Sequence, residues 1–456
     1  MIRKIGLLLL TVIAILSIVI TNSEAQVVLT RHVPEAIGTG EAEPIGRLPS
    51  TQVMQLNIVL PLRDQAGLDS FLTSLYDPAS PSYRYFLTVQ EFTQRFGPSE
   101  QNYDAVVSFA KANGFAVVGG TRNARDVQIK GPVSAVESAF HVTMWTYQHP
   151  TQNRTFYGPD REPTTNLPFP LWHISGLDNY SIPHPMIISK REYAKAHGIM
   201  PEDVAPNATT GSGPSNSFLG SDMRAAYYGG TALTGAGQNL GLFAFHGTDL
   251  NDLNTYFKNV GQTNNVPITL LSTDGTSTAC YTQPGDTICN DTEETLDMTQ
   301  AIGMAPGLSS LVMYIGSSDT AILGAMVSHD PLPTTIGCSW RWTPVDPSAL
   351  DPYFEQMALQ GQTFFAASGD YGSWSPDNIN PWPADDANIV SVGGTDLITA
   401  SAGGPWQSET AWEASGGGIS PNEIPIPSWQ QLPGVINATN EGSTTLRNGP
   451  DVSANA

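Results

Sequence analysis

Carboxyl groups in the run from Asp291 to Asp297 (DTEETLD) have a spacing that suits acid–base chemistry. Glu293 and Asp297 are four residues apart, so on a helix both side chains project from the same face. Such a pair can share a proton at low pH and act as a base. The same run also fits an ordinary helix start, in which Asp291 and Glu294 form a capping box and the helix dipole favours acidic residues. The residues alone leave both interpretations open.

A further carboxyl group, that of Asp370, follows an apolar run and the turn residue Gly369. Ligand sites of parallel sheets form at the carboxyl ends of strands, which favours a functional role for Asp370. An ordinary Asx turn explains the same pattern. A Ser/His/Asp triad is disfavoured, because His246 and His329 are the histidines after residue 217 and neither has a serine on a glycine-rich turn and an orienting aspartate at suitable spacing.

Apolar runs bounded by glycine alternate with helical patterns after residue 219. Runs that are apolar on both faces of a strand are typical of a parallel sheet covered by helices on both sides. The pattern predicts an α/β fold with strands at 240–245, 311–315, 335–338, 363–367 and 389–392 and a helix from 291 to about 305.

Residues 50–180 have the pattern of a small α+β domain. Strands are predicted at 52–62, 116–119, 127–130 and 142–147, and helices at 64–76, 89–113 and 132–139, the second helix broken at Pro98. The order β-α-α-β-β-α-β can pack its helices on one face of an antiparallel sheet. Gly, Pro, Asn and Ser are frequent in residues 190–218, which predicts an exposed linker.

Charge is distributed unevenly along the 456 residues. The net charge is −22, from 42 acidic and 20 basic residues, and 24 of the acidic residues but only four of the basic ones lie after residue 216. Tight nucleic-acid binding needs clustered basic residues, so this composition argues against it. The acidic half would repel itself at neutral pH and lose much of that charge at low pH, which suits a protein that works in acid. Solubility alone also explains the composition.

The N-terminus has the pattern of an export signal. Basic residues at positions 3 and 4 precede an apolar run, and a small-x-small pattern predicts cleavage after Ala25. An uncleaved membrane anchor is the alternative, although the run is short for a bilayer span. Export permits disulfides, so Cys280 and Cys289 can form one, while Cys338 is expected to be a buried free thiol. None of the three cysteines has metal-ligand spacing.

Further motifs occur in a fixed order along the chain. The first half contains YRYFLT (83–88) followed by Phe92, Phe96 and Pro98, and the second half contains TALTGAGQNLGL (231–242), APG (305–307), SW (339–340), SGD (368–370), VGGT (392–395), Trp412 with SGGGIS (415–420), PSWQ (427–430) and PDVSA (450–454). This series resembles the sedolisins, the serine-carboxyl peptidases, in their kumamolisin-like pro-enzyme form. The resemblance covers nearly all of the chain after the signal.

The resemblance implies a subtilisin-like parallel sheet with helices on both faces, preceded by a ferredoxin-like α+β activation domain. The family's Glu-x-x-x-Asp falls on Glu293 and Asp297: Glu293 would take the proton from a serine nucleophile, and Asp297 would orient Glu293. The family's oxyanion aspartate falls on Asp370, which must be protonated to donate a hydrogen bond. The tryptophan motif implies that Ser339 and Trp340 bind substrate, although Arg341 follows where the family usually has glycine.

The organisation implied by the resemblance is a signal peptide at 1–25, an activation domain at 26–189, a linker with the maturation cleavage at 190–218 and an incomplete catalytic domain at 219–456. We expect a secreted, extracellular, acid-active endopeptidase precursor that is a monomer. Its partners would be protein or peptide substrates and its own activation domain as an inhibitor, with no nucleic acid and, after removal of the signal, no membrane.

Two features of the family are expected beyond Ala456. One is the nucleophilic serine of a Gly-Thr-Ser-x-Ser-like turn, and the other is the set of ligands for calcium, so no residue of this sequence is predicted to bind a metal and the chain is expected to be inactive alone. The alternative function is a non-catalytic exported peptide-binding protein of the same fold. An acid glycosidase fits the composition but not the motifs, because Glu293 and Asp297 on one helix face cannot easily flank a sugar.

Overall fold

The computed structural model describes residues 26–200, 210–229, 231–282, 289–375 and 378–456. The predicted signal peptide and residues 201–209 of the predicted linker lie outside these ranges. None of the helices in the described ranges combines the length and the apolar character that a membrane crossing requires.

The described part of the first half contains two antiparallel sheets of more than two strands. The larger has the strand order Ala116–Gly119, Asp126–Pro132, Val53–Val59 and His173–Ser175, and the smaller has the order Pro44–Arg47, Met144–Gln148 and Thr155–Pro159. Alternate residues of the larger sheet, such as Leu56 and Ile129, pack against the helices Glu100–Ala112 and Val133–Phe140. The predicted α+β class is therefore confirmed. The last predicted strand joins the smaller sheet, and His173–Ser175 takes the fourth place in the larger one.

Local signals explain where the helices of the first half begin. The remaining helices there are Glu35–Gly38, Gln65–Tyr76, Val89–Arg95 and Lys190–His197. Asp64 accepts a hydrogen bond from the Gly67 amide (2.9 Å), and Ser99 accepts one from the Asn102 amide (3.1 Å). These side chains satisfy amides that would otherwise have no partner in the first turn. The break predicted at Pro98 is confirmed.

The second half is built on an eight-stranded sheet, as far as the described residues extend. Six parallel strands have the order Ile268–Ser272, Ser310–Ile315, Asn239–Ala244, Thr335–Cys338, Thr363–Ala367 and Val390–Thr399. Trp406–Ala411 (antiparallel) and Val452–Asn455 (parallel) both pair with Val390–Thr399. Two-stranded pairs join Gln26–Val27 to Thr164–Thr165, His184–Pro185 to Trp340–Arg341 and Gly418–Ile419 to Asn448–Gly449.

Helices cover both faces of this sheet. Gly220–Tyr228, Leu250–Asn259 and Thr292–Met304 pack together over one apolar core, and Asp319–Ser328 and Asp351–Gln360 pack over the other. Short 3-10 turns lie at Pro214–Asn216, Pro347–Ala349 and Ser428–Gln431. The predicted α/β sheet with helices on both sides is confirmed.

The larger sheet of the first half packs on the helix Asp319–Ser328 of the second half. The Asn57 side-chain amide donates to the Thr320 hydroxyl (2.9 Å), and the Ser175 hydroxyl lies 2.7 Å from the same oxygen. A second contact is apolar, because Leu359 is fully buried with Phe92 and Phe96 of the first half. The two halves therefore share a buried interface.

Candidate active site

The helix Thr292–Met304 carries the predicted carboxyl pair. Asp291 is the residue before the helix, but its side chain makes no capping hydrogen bond and accepts instead from the Thr248 hydroxyl and the Asp249 amide, both at 2.8 Å. The capping-box interpretation of Asp291 and Glu294 is therefore wrong. Both hydrogen bonds go to Oδ2, so the adjacent loop rather than the helix start uses the Asp291 carboxylate.

Glu293 and Asp297 form a buried, hydrogen-bonded pair. Glu293 is 5% exposed, its Oε2 has no hydrogen-bond partner, and Asp297 shares a hydrogen bond with it. Burial raises the pKa of both groups, and the charge of Asp297 raises that of Glu293 further. Two carboxyl groups in this arrangement can hold one proton between them, which leaves one negative charge available as a base.

Ser339 connects this pair to the neighbouring strand. Its hydroxyl donates to Asp297 Oδ1 (2.7 Å), and its backbone carbonyl accepts from the Met186 amide (2.7 Å). Trp340 is 1% exposed, so its ring belongs to the core, while its backbone pairs with Pro185. The two residues of the predicted substrate-binding motif therefore face a peptide segment through backbone groups.

Asp370 lies at the carboxyl end of the strand Thr363–Ala367. Gly369 before it has φ +95°, a conformation that favours glycine, and its carbonyl accepts from the Gly416 amide (2.6 Å). Burial raises the pKa of Asp370 to about 6. Its Oδ2 accepts from the Ile188 amide (3.1 Å), and its charge raises the pKa of Glu293. The fold thus brings the three predicted catalytic carboxyl groups to one site.

Glu294 is a buried group that sequence reasoning missed, since the capping box seemed to explain it. It is 2% exposed, its Oε1 has no hydrogen-bond partner, and burial raises its pKa to about 8. Its charge also raises the pKa of Glu293. Glu294 therefore disfavours a second negative charge on the pair.

The segment His184 to Ile188 crosses this site and was also missed. It lies N-terminal to the linker in which cleavage was predicted, and the spacing of Pro183 and Pro185 is the signal that could have indicated an extended conformation. The linker itself begins with the helix Lys190–His197. The chain thus covers its own candidate site.

The cysteine predictions are confirmed. Cys280 and Cys289 form a disulfide, and Cys338 is a buried free thiol. The side chain of His246 stacks on Tyr281 and meets the ring of Trp340 edge-on. These aromatic neighbours do not supply the hydrogen bonds that a Ser/His/Asp triad requires of its histidine.

The site therefore combines the carboxyl end of a parallel sheet, three buried carboxyl groups and an extended segment of the same chain that covers them. Residues 41–173 match the family "Pro-kumamolisin, activation domain". The chain is 28% identical to kumamolisin of Bacillus sp. over 450 residues, 93% of this chain and 77% of that protein. It is 27% identical to sedolisin of Pseudomonas sp. over 437 residues, 88% of this chain and 70% of that protein.

Two more proteins are similar to this chain. Xanthomonalisin of Xanthomonas sp. is 26% identical over 90% of this chain and 54% of its own length. A solved structure of Pseudomonas sedolisin, complexed with two molecules of pseudo-iodotyrostatin, has a TM-score of 0.40 and 25% identity over 55% of this chain and 72% of that one. The sequence matches confirm the resemblance to sedolisin-family pro-enzymes and support a serine-carboxyl peptidase precursor with an activation domain.

Proposed function

We propose that this protein is the precursor of a secreted, acid-active serine-carboxyl endopeptidase. The observation that carries the proposal is the buried, hydrogen-bonded pair of Glu293 and Asp297 close to Asp370. Glu293 takes the proton of the nucleophilic serine, and Asp297 orients Glu293 and holds the shared proton. Asp370, when protonated, donates a hydrogen bond to the oxygen on which negative charge develops.

The raised pKa of Asp370 supports work in acid. Because burial raises the pKa of Asp370 to about 6, this group is protonated below that pH and can donate its hydrogen bond. The pair keeps its single negative charge only while the other carboxyl group stays protonated, which also requires a pH that is not alkaline.

The nucleophile is expected beyond Ala456, as are the ligands of the calcium ion, and both remain predictions from the resemblance. Export after removal of residues 1–25, a monomeric state and a cleavage that releases the catalytic domain are parts of the same proposal. Comparing the chain with a version extended through the downstream coding sequence tests where the nucleophile lies. Activity of the extended version alone is expected.

Substitution of Glu293 tests the chemistry in whichever version is active. We expect Glu293→Gln to lower the hydrolysis of denatured protein at about pH 4 by roughly 10²-fold or more, since an amide cannot accept the serine proton. Glu441→Gln is the matched control, because Glu441 is exposed. Full activity of Glu293→Gln would contradict the assignment.

A second candidate function is a non-catalytic peptide-binding protein. The observation that favours it is the segment His184 to Ile188, which lies in the cleft as a bound peptide would. In that case neither version hydrolyses protein at any pH from 3 to 7, and peptide binding remains measurable. Hydrolysis that depends on Glu293 excludes it.

A further inference from the structure

The segment His184 to Ile188, which covers the site, is held near both of its ends by hydrogen bonds of its own backbone. His184–Pro185 pairs antiparallel with Trp340–Arg341, and the Met186 amide donates to the Ser339 carbonyl (2.7 Å). Two residues later, the Ile188 amide donates to Asp370 Oδ2 (3.1 Å). This is the way in which an extended peptide adds to the edge of a strand, where main-chain bonds fix the register.

The register places two peptide bonds, Met186–Ile187 and Ile187–Ile188, between the two groups of the site. Met186 is held by Ser339, whose hydroxyl bonds to Asp297, and Ile188 is held by Asp370. The Ile187 carbonyl already accepts from the Tyr371 hydroxyl (3.1 Å). Of these two bonds, Met186–Ile187 is therefore the one whose carbonyl is not bound by Tyr371, and it lies between the Glu293–Asp297 pair and Asp370.

Side-chain burial distinguishes Met186 from its neighbours. Met186 is 2% exposed, whereas Ile187 and Ile188 are only partly buried. Its side chain belongs to the same buried apolar cluster as Trp374 and Ile379. In this segment, the Met186 side chain is the one that fills a pocket.

Gly369 sets the depth of this pocket. A Cβ atom at Gly369 would lie 3.1 Å from Met186 Sδ and 3.7 Å from Ile379 Cδ1, so the thioether and the isoleucine both pack against the bare backbone of the glycine. The Gly416 amide and the Trp374 indole N–H hold this turn through the carbonyls of Gly369 and Ser368. The pocket floor is therefore a fixed backbone surface with apolar walls.

We infer that this pocket selects peptide substrates with an unbranched or γ-branched apolar side chain, Met or Leu, directly before the hydrolysed bond. The inference rests on the proposed function and adds its substrate class. A charged side chain is rejected, because burying a charge in an apolar pocket without a partner is unfavourable. In the chain itself, hydrolysis breaks the Met186–Ile187 C–N bond and consumes one water, which gives a carboxyl group on Met186 and an amino group on Ile187.

Acid incubation of the full-length protein, in whichever version is active, tests this inference by mass spectrometry of the products. We expect the first cut after Met186 in the wild type and in Met186→Leu, and a rate at this bond at least tenfold lower in Met186→Asp. Ile182→Asp is the matched control, because it adds the same charge to the same segment at a side chain that is 43% exposed. Equal rates for Met186→Asp and wild type, or a first cut elsewhere in the wild type, would overturn the inference.

Two further measurements separate this inference from the proposed function. Hydrolysis of denatured protein without a preference for Met or Leu before the cut overturns the inference and leaves the peptidase intact. If no version hydrolyses any substrate, the proposed function fails. Amide hydrogen exchange then tests whether the Met186 side chain holds the segment in the pocket. The amides of Met186 and Ile188 should be protected in wild type, Met186→Leu and Ile182→Asp and lose protection in Met186→Asp; unchanged protection in Met186→Asp overturns the pocket.

Discussion

Carboxyl groups at two helix starts of the first half and at buried positions of the second half have opposite pKa shifts. In the first half, Glu91 and Glu192 lie near helix starts, where hydrogen bonds from Thr88 and Ser189 lower their pKa. In the second half, Glu294, Asp370 and Asp386 are buried, and burial raises their pKa. Protonation in acid therefore removes favourable charges at the helix starts of the first half. In the second half it removes the cost of burying a charged carboxylate.

The carboxyl groups at the interface between the halves behave like those of the second half. Asp126 and Asp178 belong to the first half, and burial raises the pKa of each to about 6. Asp319, on the helix that the first half covers, also has a raised pKa and lies close enough to raise that of Asp178. Among these groups, the direction of the pKa shift therefore follows burial rather than the domain.

The largest expected effect concerns Asp370. In an active version of the protein, we expect Asp370→Ala to lower kcat by about 10² to 10³-fold, because the oxyanion loses a hydrogen-bond donor. Asp370→Asn should retain more activity and show a weaker decline above pH 6, since an amide donates at every pH. Asp104→Asn, an exposed position in the first half, is the control and should leave kcat unchanged. Equal pH profiles for wild type and Asp370→Asn would contradict the role.

Urea unfolding at pH 4 and pH 7 measures the effect of the raised pKa values on stability. A carboxyl group with a raised folded-state pKa contributes its full stability below its unfolded pKa, and the contribution is lost as pH rises through the folded pKa. For Asp370, a rise from 3.8 to about 6 corresponds to about 3 kcal/mol at 1.36 kcal/mol per unit. We expect the wild type to be more stable at pH 4 and the difference to be smaller in Asp370→Asn. A wild type that is more stable at pH 7 than at pH 4 would contradict this prediction.

The apolar part of the interface is tested by Leu359→Ala. The side chain is fully buried between the halves with Phe92 and Phe96, so the cavity should lower the free energy of unfolding by about 2 to 4 kcal/mol. Val118→Ala removes an apolar side chain that is 50% exposed and should have a much smaller effect. Similar losses from both variants would mean that the interface contributes little. Thermal melts at pH 5 provide the measurement.

The smallest expected effect is that of a helix cap in the first half. Ser99→Ala removes the acceptor for the Asn102 amide and should cost about 1 kcal/mol. Because a hydroxyl does not titrate, we expect the same loss in urea unfolding at pH 4 and pH 7, in contrast to Asp370→Asn. Ser70→Ala, at an exposed position within another helix, is the control. A loss from Ser99→Ala that changes strongly with pH would show that nearby carboxyl groups contribute to this cap.

Local sequence signals determined most of the secondary structure. The helix Gln65–Tyr76, the break at Pro98 and the strands Thr335–Cys338 and Thr363–Ala367 follow from apolar spacing, caps and glycine boundaries, which act over a few residues. The spacing of Glu293 and Asp297 likewise required only a helix. Their assignment as catalytic residues came from the motif series and stays a proposal.

Tertiary structure decided what each candidate residue contacts. The capping box at Asp291 was wrong because a loop from residues 248–249 binds that carboxylate, and no local pattern indicates such a distant partner. The strand Met144–Gln148 joined a second sheet for the same reason, since pairing partners are chosen by packing across the whole chain.

Most helices and strands, the charge asymmetry and the residue types at the candidate site follow from the amino-acid sequence. Tertiary packing buries Glu293, Asp297 and Asp370 together and places the segment from His184 to Ile188 across them. The physical reason is that desolvation and strand pairing depend on which distant surfaces come into contact, whereas helix formation and turn geometry depend mainly on neighbouring residues.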